Sequence, residues 1–391
     1  MVKQFQFARL PLIIFGTGRI SDLPRLIRKY GNEIILVTGQ RSFMSSSSAQ
    51  ILLNAFEDNM VRYHHVTISG EPSPEIVDEI AGRMKNETVQ VVVGIGGGSV
   101  LDAGKAVSAM IYRTESVQDY LEGVGNKEHP GTKTAFIAVP TTSGTGSEAT
   151  KNAVISKIGR NGFKRSLRHD NFVPEVALVD PELTLNCPPD ITAASGMDCF
   201  TQLTEAYLSD KSNEYTDALA LEGLKAVKSS LKAVSKEGRD IAARTGMSFA
   251  ALTSGICLAN AGLGVVHGFA SSIGGLYNIP HGIICGTLMA VSNEMNVKKL
   301  RKGFGKPGTL GKYALLGELF LDEKGRNEDF YIDGFIEHLH DLTSELRLPG
   351  LRRFGLKEND LEKICLSTEC KNNPVNLETS DLMEILLGRF N

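Results

Sequence analysis

The segment Val89-Gln-Val-Val-Val-Gly-Ile-Gly-Gly-Gly-Ser-Val-Leu-Asp-Ala-Gly-Lys105 constrains the fold more than any other part of the chain. A β-branched apolar run breaks at Gly96, Gly97 and Gly98 and resumes at helical spacing. It therefore reads as a strand, a tight turn and a helix start. A run that is apolar at every position, not at alternate ones, belongs to a strand covered on both faces, as in a parallel α/β sheet. The glycines let backbone amides approach a ligand. The helix start offers unpaired N–H groups and the positive end of its dipole to a pyrophosphate. Ser99 can cap that helix or bond a phosphate, and Asp102 and Lys105 fall on one helix face. The spacing is not the GxGxxG of a standard dinucleotide turn.

The rest of the first half repeats this alternation. Residues 34–37, 135–139 and 176–179 are short β-branched or aliphatic runs, and residues 22–30, 47–59, 74–85 and 100–112 are helix-like. From residue 190 the pattern is helical only, over 190–209, 215–234, 241–261, 266–276 and 283–296 and on toward Phe390, with no strand signal and no repeat. Pro188-Pro189, followed by Asp190 as an N-cap, marks the boundary. The expected architecture is a Rossmann-like α/β dinucleotide-binding domain with a parallel sheet over residues 1–187, then an all-α domain over 188–391. A length of 391 residues suits two domains. Ligands in such folds occupy the cleft outside the carboxyl ends of the strands.

A net charge of −3 gives no electrostatic case for nucleic acid or an anionic membrane. The sequence shows no stretch approaching the roughly 20 apolar residues of a membrane helix, and the apolar run at 10–15 is too brief for a signal peptide. The six cysteines, at 187, 199, 257, 285, 365 and 370, include no CxxC pair, and the first four sit in apolar or small-residue contexts. They read as reduced, mostly buried thiols of a cytoplasmic protein. His64, His65, His129, His169, His338 and His340 match no motif and read as solvent-facing or loop residues.

Two further constellations carry chemistry. Pro140-Thr-Thr-Ser-Gly-Thr-Gly-Ser-Glu148 follows the apolar run at 135–139, and its small hydroxyl residues can reach phosphate and ribose oxygens. Downstream, Asp198 and Gln202 are spaced i, i+4 on one helix face. His267 opens a helix-like run, the turn Tyr277-Asn-Ile-Pro280 reverses the chain, and His281 begins the next helix. Two imidazoles from neighbouring helices, opposite a carboxylate from a third, can make a compact metal site.

Several motifs match together: Gly97-Gly98-Ser99-x-x-Asp102, Thr141-Thr142-x-x-Thr145, Asp180-Pro181-Glu182-Leu183, Gly196-Met197-Asp198, and His267 followed by Pro280-His281-Gly282. In order and spacing, from about residue 16 to 373, they resemble the iron-containing (group III) alcohol dehydrogenases of the dehydroquinate synthase-like superfamily. The resemblance implies NAD(P) held by Gly97, Gly98, Ser99, Asp102, Thr141, Thr142, Thr145 and Lys164. It also implies a divalent metal, Fe²⁺ or Zn²⁺, at Asp198, Gln202, His267 and His281. The expected reaction is hydride transfer between NAD(P)(H) and a small alcohol or aldehyde, carried out by a homodimer or higher homo-oligomer.

The chain departs from the family twice. The first metal pair is Asp-x3-His in the family, whereas here its second member is Gln202, a neutral and weaker ligand. Many relatives carry a second His four residues after the first, where this chain has Ser271, so the imidazole relay of those relatives is absent there and Ser271 is the candidate catalytic side chain beyond the metal cluster. Both changes leave hydrogen-bonding groups that suit a polar polyol or a sugar-acid alcohol. On the loop at 39–42, Gly39 lacks the acid that repels a 2′-phosphate, and Arg41 and Ser42 can bond one, so NADP(H) is expected over NAD(H). Two other functions stay open. One is a dehydroquinate synthase-like lyase using metal and bound NAD, although the helical half shows no basic cluster for a phosphorylated substrate. The other is a non-catalytic dinucleotide-binding protein with a decayed site, which metal content would distinguish.

Overall fold

The computed structural model describes residues 4–40 and 42–391. Eight strands lie in its first half: β1 (Leu12–Phe15), β2 (Glu33–Gly39), β3 (Arg62–Ile68), β4 (Val91–Gly96), β5 (Ala135–Pro140), β6 (Asn152–Lys157), β7 (Phe163–Arg168) and β8 (Val176–Val179). Six form one sheet in the order β1-β8-β5-β4-β2-β3, every pair parallel. The helices α1 (Leu23–Ile27), α2 (Ser47–Asp58), α3 (Pro74–Met84) and α4 (Gly98–Met110) connect them. All six residues of β4 are buried, as its unbroken apolar run requires. Val92 joins an apolar cluster with α3 and α4 on one face, while Val91, Val93 and Ile95 join another with α1 and α2. A Cβ on Gly104 would stand 2.8 Å from Phe136 Cε2, so glycine lets α4 lie directly on the sheet.

Strand register places three loops side by side. Thr38 pairs with Ile95, and Gly96 pairs with Pro140. The segments after β2, β4 and β5 therefore leave the same carboxyl edge as neighbours, where parallel sheets bind ligands. Four strands were not expected from the sequence. β1 and β3 are the sheet edges; Arg62–Ile68 is polar and mostly exposed, and Leu12–Phe15 is only four residues long. The antiparallel hairpin β6–β7 stands outside the sheet against α4 and α8 (Val265–Leu276).

The second half is helical throughout its described residues: α5 (Pro189–Leu208), α6 (Glu214–Lys236), α7 (Ile241–Ala261), α8, α9 (His281–Arg301), α10 (Thr309–Phe320), α11 (Glu328–Glu345), α12 (Leu361–Ser367) and α13 (Thr379–Gly388), with short 3₁₀ turns. α5 starts at Pro189 with Pro188 as its N-cap, so Asp190 lies inside the first turn and is not the cap. A carboxylate there faces the positive end of the helix dipole. Sixteen of the 20 residues of α5 are buried among α6, α7 and α9, so its polar side chains need protein or ligand partners. The absence of any membrane-length segment is corrected by α7, whose 21 residues pass the length and composition test for a span. Its apolar window is 67% buried inside the protein, against α5 and α6, which is the position of a core helix.

His129 also differs from its expectation. It is buried between Tyr120 and Phe172, with ring centroids 5.1 and 4.8 Å away. Nε2–H donates to the Ala109 carbonyl at 3.1 Å and Nδ1 accepts from the Gly131 N–H at 3.0 Å, so the ring is fixed as one neutral tautomer. Burial pulls its pKa from 6.5 down to about 4. Between those values the unfolded chain binds the extra proton, so stability is full above pH 6.5 and falls as the pH drops toward 4. The loss is on the order of 3 kcal/mol at most. Urea unfolding at pH 7 and pH 4.5 should show His129→Leu losing less stability over this interval than the wild type. Equal losses would refute this account.

Candidate functional site

Gly97 is the N-cap of α4, in extended backbone, and Gly98 is its first helical residue. Ser99 consequently lies within the first turn and does not cap the helix. The first-turn N–H groups point into a cleft of about 970 Å³, lined by Gly98, Ser99, Asp102, Thr145 and Lys164. Thr141 is tied back to the strand edge, its N–H donating to the Gly96 carbonyl at 2.9 Å. Thr142 Oγ1 stands 3.3 Å from the position a Cβ on Gly97 would take. Gly39 closes β2 beside α4, with Ser42 exposed on the loop beyond it. Arg41 lies outside the described residues.

Asp102 is half-buried and accepts from Ser147 Oγ at 2.5 Å and from the Val154 N–H at 3.1 Å. Its helix neighbour Lys105 is wholly buried. The Lys105 ammonium donates to the Ser147 carbonyl at 2.8 Å, Thr150 Oγ1 at 3.1 Å and the Asn152 carbonyl at 2.8 Å. Burial lowers the Lys105 pKa to about 8. Together these two residues fasten the start of α4 to the strand that begins the β6–β7 hairpin. Lys164, on β7, is buried and ion-paired with Glu71, which also accepts from Ser156 Oγ at 2.6 Å.

At the floor of the cleft three helices converge. Asp198 comes from α5, His267 from α8 and His281 from the first residue of α9. Asp198 Oδ1 lies 3.3 Å from His267 Nε2 and 3.6 Å from His281 Nε2. Asp198 is 1% exposed, whereas 27% of the His281 side chain stays open to the cleft. The sequence reading missed two residues here. Glu205, seven residues after Asp198 on α5, accepts from the Val266 N–H and from His267 Nδ1, both at 2.7 Å, which turns His267 Nε2 toward Asp198. Cys285, one turn after His281 on α9, places its Sγ 3.7 Å from Nε2 of both histidines. The donor atoms of Asp198, His267, His281 and Cys285 all lie within 4.8 Å of one another.

Burial raises the Asp198 pKa, but the two imidazoles outweigh it and hold the carboxyl at about 2. Burial brings His281 down to about 4, although Asp198 opposes the shift. For His267, burial acts downward, and the neighbouring Cys285, Glu205 and Asp198 overcome it to push the pKa well above its ordinary value, while burial pushes the Cys285 thiol itself up to about 12. The His281 Nδ1 is buried with no hydrogen-bond partner. An anionic carboxylate facing two imidazole nitrogens suits a divalent ion. Gln202 lines the same cleft, but its Oε1 accepts from Ser254 Oγ at 2.9 Å. Ser271 Oγ donates to the His267 carbonyl at 3.0 Å and also faces the cleft.

Residues 11–181 match the family model described as iron-containing alcohol dehydrogenase. Residues 192–389 match the C-terminal model of the Fe-containing alcohol dehydrogenase family. The chain is 32% identical over 388 residues to alcohol dehydrogenase 4 of Saccharomyces cerevisiae, covering 96% of each. It is 28% identical to the NAD-dependent methanol dehydrogenase of Bacillus methanolicus, covering 96% of this chain and 97% of that one. Among solved structures, the sulfoacetaldehyde reductase of Bifidobacterium kashiwanohense in complex with NAD⁺ superposes with a TM-score of 0.85 at 26% identity, covering 99% of each chain.

Proposed function

The chain belongs to the iron-containing alcohol dehydrogenase family, and from that premise we propose that its cleft interconverts a small polar alcohol and its aldehyde with NAD(P)(H). The observation that carries this reading is the single cleft lined by both the glycine turn and the two imidazoles that face Asp198. Relatives named as NAD-dependent or solved with NAD⁺ support a nicotinamide cofactor. When bound, the metal supplies a Lewis acid for the alcohol or carbonyl oxygen, and the nicotinamide accepts or donates the hydride.

The protein's own groups bind and orient. The first-turn amides at Gly98 and Ser99 receive the pyrophosphate, Thr145 lines the cleft beside them with Thr141 and Thr142 on the same loop, and Lys164, ion-paired with Glu71, lines the same cleft. Asp102 acts on the cofactor chiefly by positioning, since both of its oxygens are engaged with Ser147 and Val154. Asp198, His267 and His281 hold the ion, with Glu205 fixing the orientation of His267. Ser271 and Gln202 leave the floor polar, which favours a hydroxylated substrate over a plain alkyl one. A panel of alcohols and aldehydes assayed with both cofactors, alongside metal analysis, tests this reading. Absence of turnover with every member by metal-loaded protein would overturn it.

Preference for NADP(H) follows from Gly39. A Cβ there would meet only Ser42 Oγ and Val100 Cγ2, each at 3.9 Å, so a Cβ fits without displacement. Gly39→Asp should therefore be tolerated and should repel a 2′-phosphate. The expected result is about a tenfold rise in KM for NADPH, with KM for NADH unchanged or lower. A wild type that prefers NADH, or equal effects on both cofactors, would show that this loop does not discriminate between them.

A further inference from the structure

The family's first metal pair, Asp-x3-His, is incomplete on α5, where Gln202 stands in the histidine position. An i, i+4 pair of metal-binding side chains nevertheless exists in this chain, one helix away: His281 and Cys285 on α9. Helical geometry puts both on one face, a turn apart, and that face meets Asp198 and His267. We propose that Cys285 is the fourth metal ligand of this protein, replacing the imidazole lost at Gln202, and that its sulfur makes the site select Zn²⁺ over Fe²⁺. This rests on Asp198, His267 and His281 holding the ion.

Three observations lead to this assignment. Ligands around a tetrahedral ion, 2.0–2.1 Å from it for N and O and 2.3 Å for S, stand about 3.3–3.6 Å apart. Four of the six separations here are 3.3 Å (Asp198 to His267), 3.6 Å (Asp198 to His281) and 3.7 Å from Cys285 Sγ to each imidazole, and the other two are within 4.8 Å. Second, Cys285 is equidistant from the two imidazole nitrogens. A thiol has one proton and can donate it to only one of them, so equal spacing fits a shared centre better than a hydrogen bond. Third, Gln202 Oε1 lies 2.9 Å from Ser254 Oγ, a protein group it can bond in place of an ion. Cys285 is 0% exposed, beyond the reach of bulk reagents, so a role in disulfide exchange or surface chemistry is closed to it.

The chemistry predicts selectivity. Thiolate is a soft donor that favours Zn²⁺, whereas nitrogen and oxygen donors suit iron as well. Cys285 would hold the ion as thiolate, its proton released to solvent, and the substrate oxygen would enter by expansion of the site to five ligands.

Cobalt(II) reports the ligand directly. Metal-free wild type titrated with Co²⁺ should bind one equivalent and show near-ultraviolet thiolate-to-cobalt charge-transfer absorption, lost when Zn²⁺ is added. Cys285→Ser should bind Co²⁺ without that band, and its Zn²⁺ affinity should fall at least about tenfold while Fe²⁺ affinity falls less. Cys199→Ser, which alters a buried thiol outside the cluster, and Gln202→His should both keep the band. One equivalent of Co²⁺ bound to the wild type without the band would overturn the Cys285 assignment and leave the other three ligands standing. A band that survives in Cys285→Ser would do the same. No Co²⁺ binding to the wild type would overturn the metal reading itself. The wild-type spectrum needs no variant, so the assignment stays refutable even if Cys285→Ser fails to fold.

Discussion

Replacing His267 with alanine is expected to remove the metal and reduce turnover by at least about a thousandfold, while NAD(P)H still binds. His267 is 4% exposed and joins two carboxylates: Glu205 on its Nδ1 and Asp198 toward its Nε2. The variant loses a strong ligand and the link by which Glu205 orients the site. Lewis-acid stabilisation of several kcal/mol disappears with the ion, and about 4 kcal/mol corresponds to a thousandfold in rate. Stability should fall as well, by about 3–5 kcal/mol, because two buried carboxylates lose their shared partner. Elemental analysis, fluorescence titration with NADPH and thermal unfolding separate these effects. The glycine turn lies on another element, so cofactor affinity should change by less than about threefold, or roughly 0.6 kcal/mol. One equivalent of metal retained in the variant would show that His267 is not a ligand.

What the sequence revealed, and what it hid, follows from burial. β2, β4, β5 and β8 are covered on both faces, and their unbroken aliphatic runs signal that directly. β3 and the β6–β7 hairpin carry arginines, lysines and histidines in partly exposed positions, so no apolar period marks them. Lys164 was therefore placed by family resemblance alone, and its pairing with Glu71 spans 93 positions that no local pattern links. At the metal cluster, Asp198, His267 and His281 stand out by residue type at helical spacing. Cys285 was passed over because Ile283-Ile-Cys-Gly286 reads as a small, apolar core stretch, and a buried cysteine is ordinarily just that. Counting four residues on from His281 would have found it, as counting seven from Asp198 would have found Glu205. The buried fastening of Asp102 and Lys105 to residues 147–154 was illegible for another reason. It consists of hydrogen bonds across a loop whose path only the fold determines.

The two glycines of the cofactor turn should respond very differently to substitution. A Cβ on Gly98 would stand 2.6 Å from Thr145 Cγ2, 2.8 Å from its Oγ1 and 3.2 Å from its Cβ. Thr145 is β-branched and belongs to the loop that faces the cofactor, so rotation about χ1 exchanges one clash for another. The start of α4 and the loop after β5 must then separate, which moves the first-turn amides away from the pyrophosphate. Overpacking of this kind costs about 1–3 kcal/mol. A Cβ on Gly97 would meet only Thr142, at 3.3 and 3.4 Å, and Gly97 has a φ of −74° that alanine adopts freely. Gly98→Val is accordingly expected to weaken NAD(P)H binding by about a hundredfold, the upper end of that cost. Gly97→Ala should weaken it only by a few-fold. Metal content should remain at one equivalent in both, because the cluster on α5, α8 and α9 does not depend on the turn. Fluorescence titration of the two variants measures the contrast. Equal losses would mean that contact with Thr145 does not set the width of the phosphate site, and loss of metal in Gly98→Val would mean that the damage extends beyond the turn.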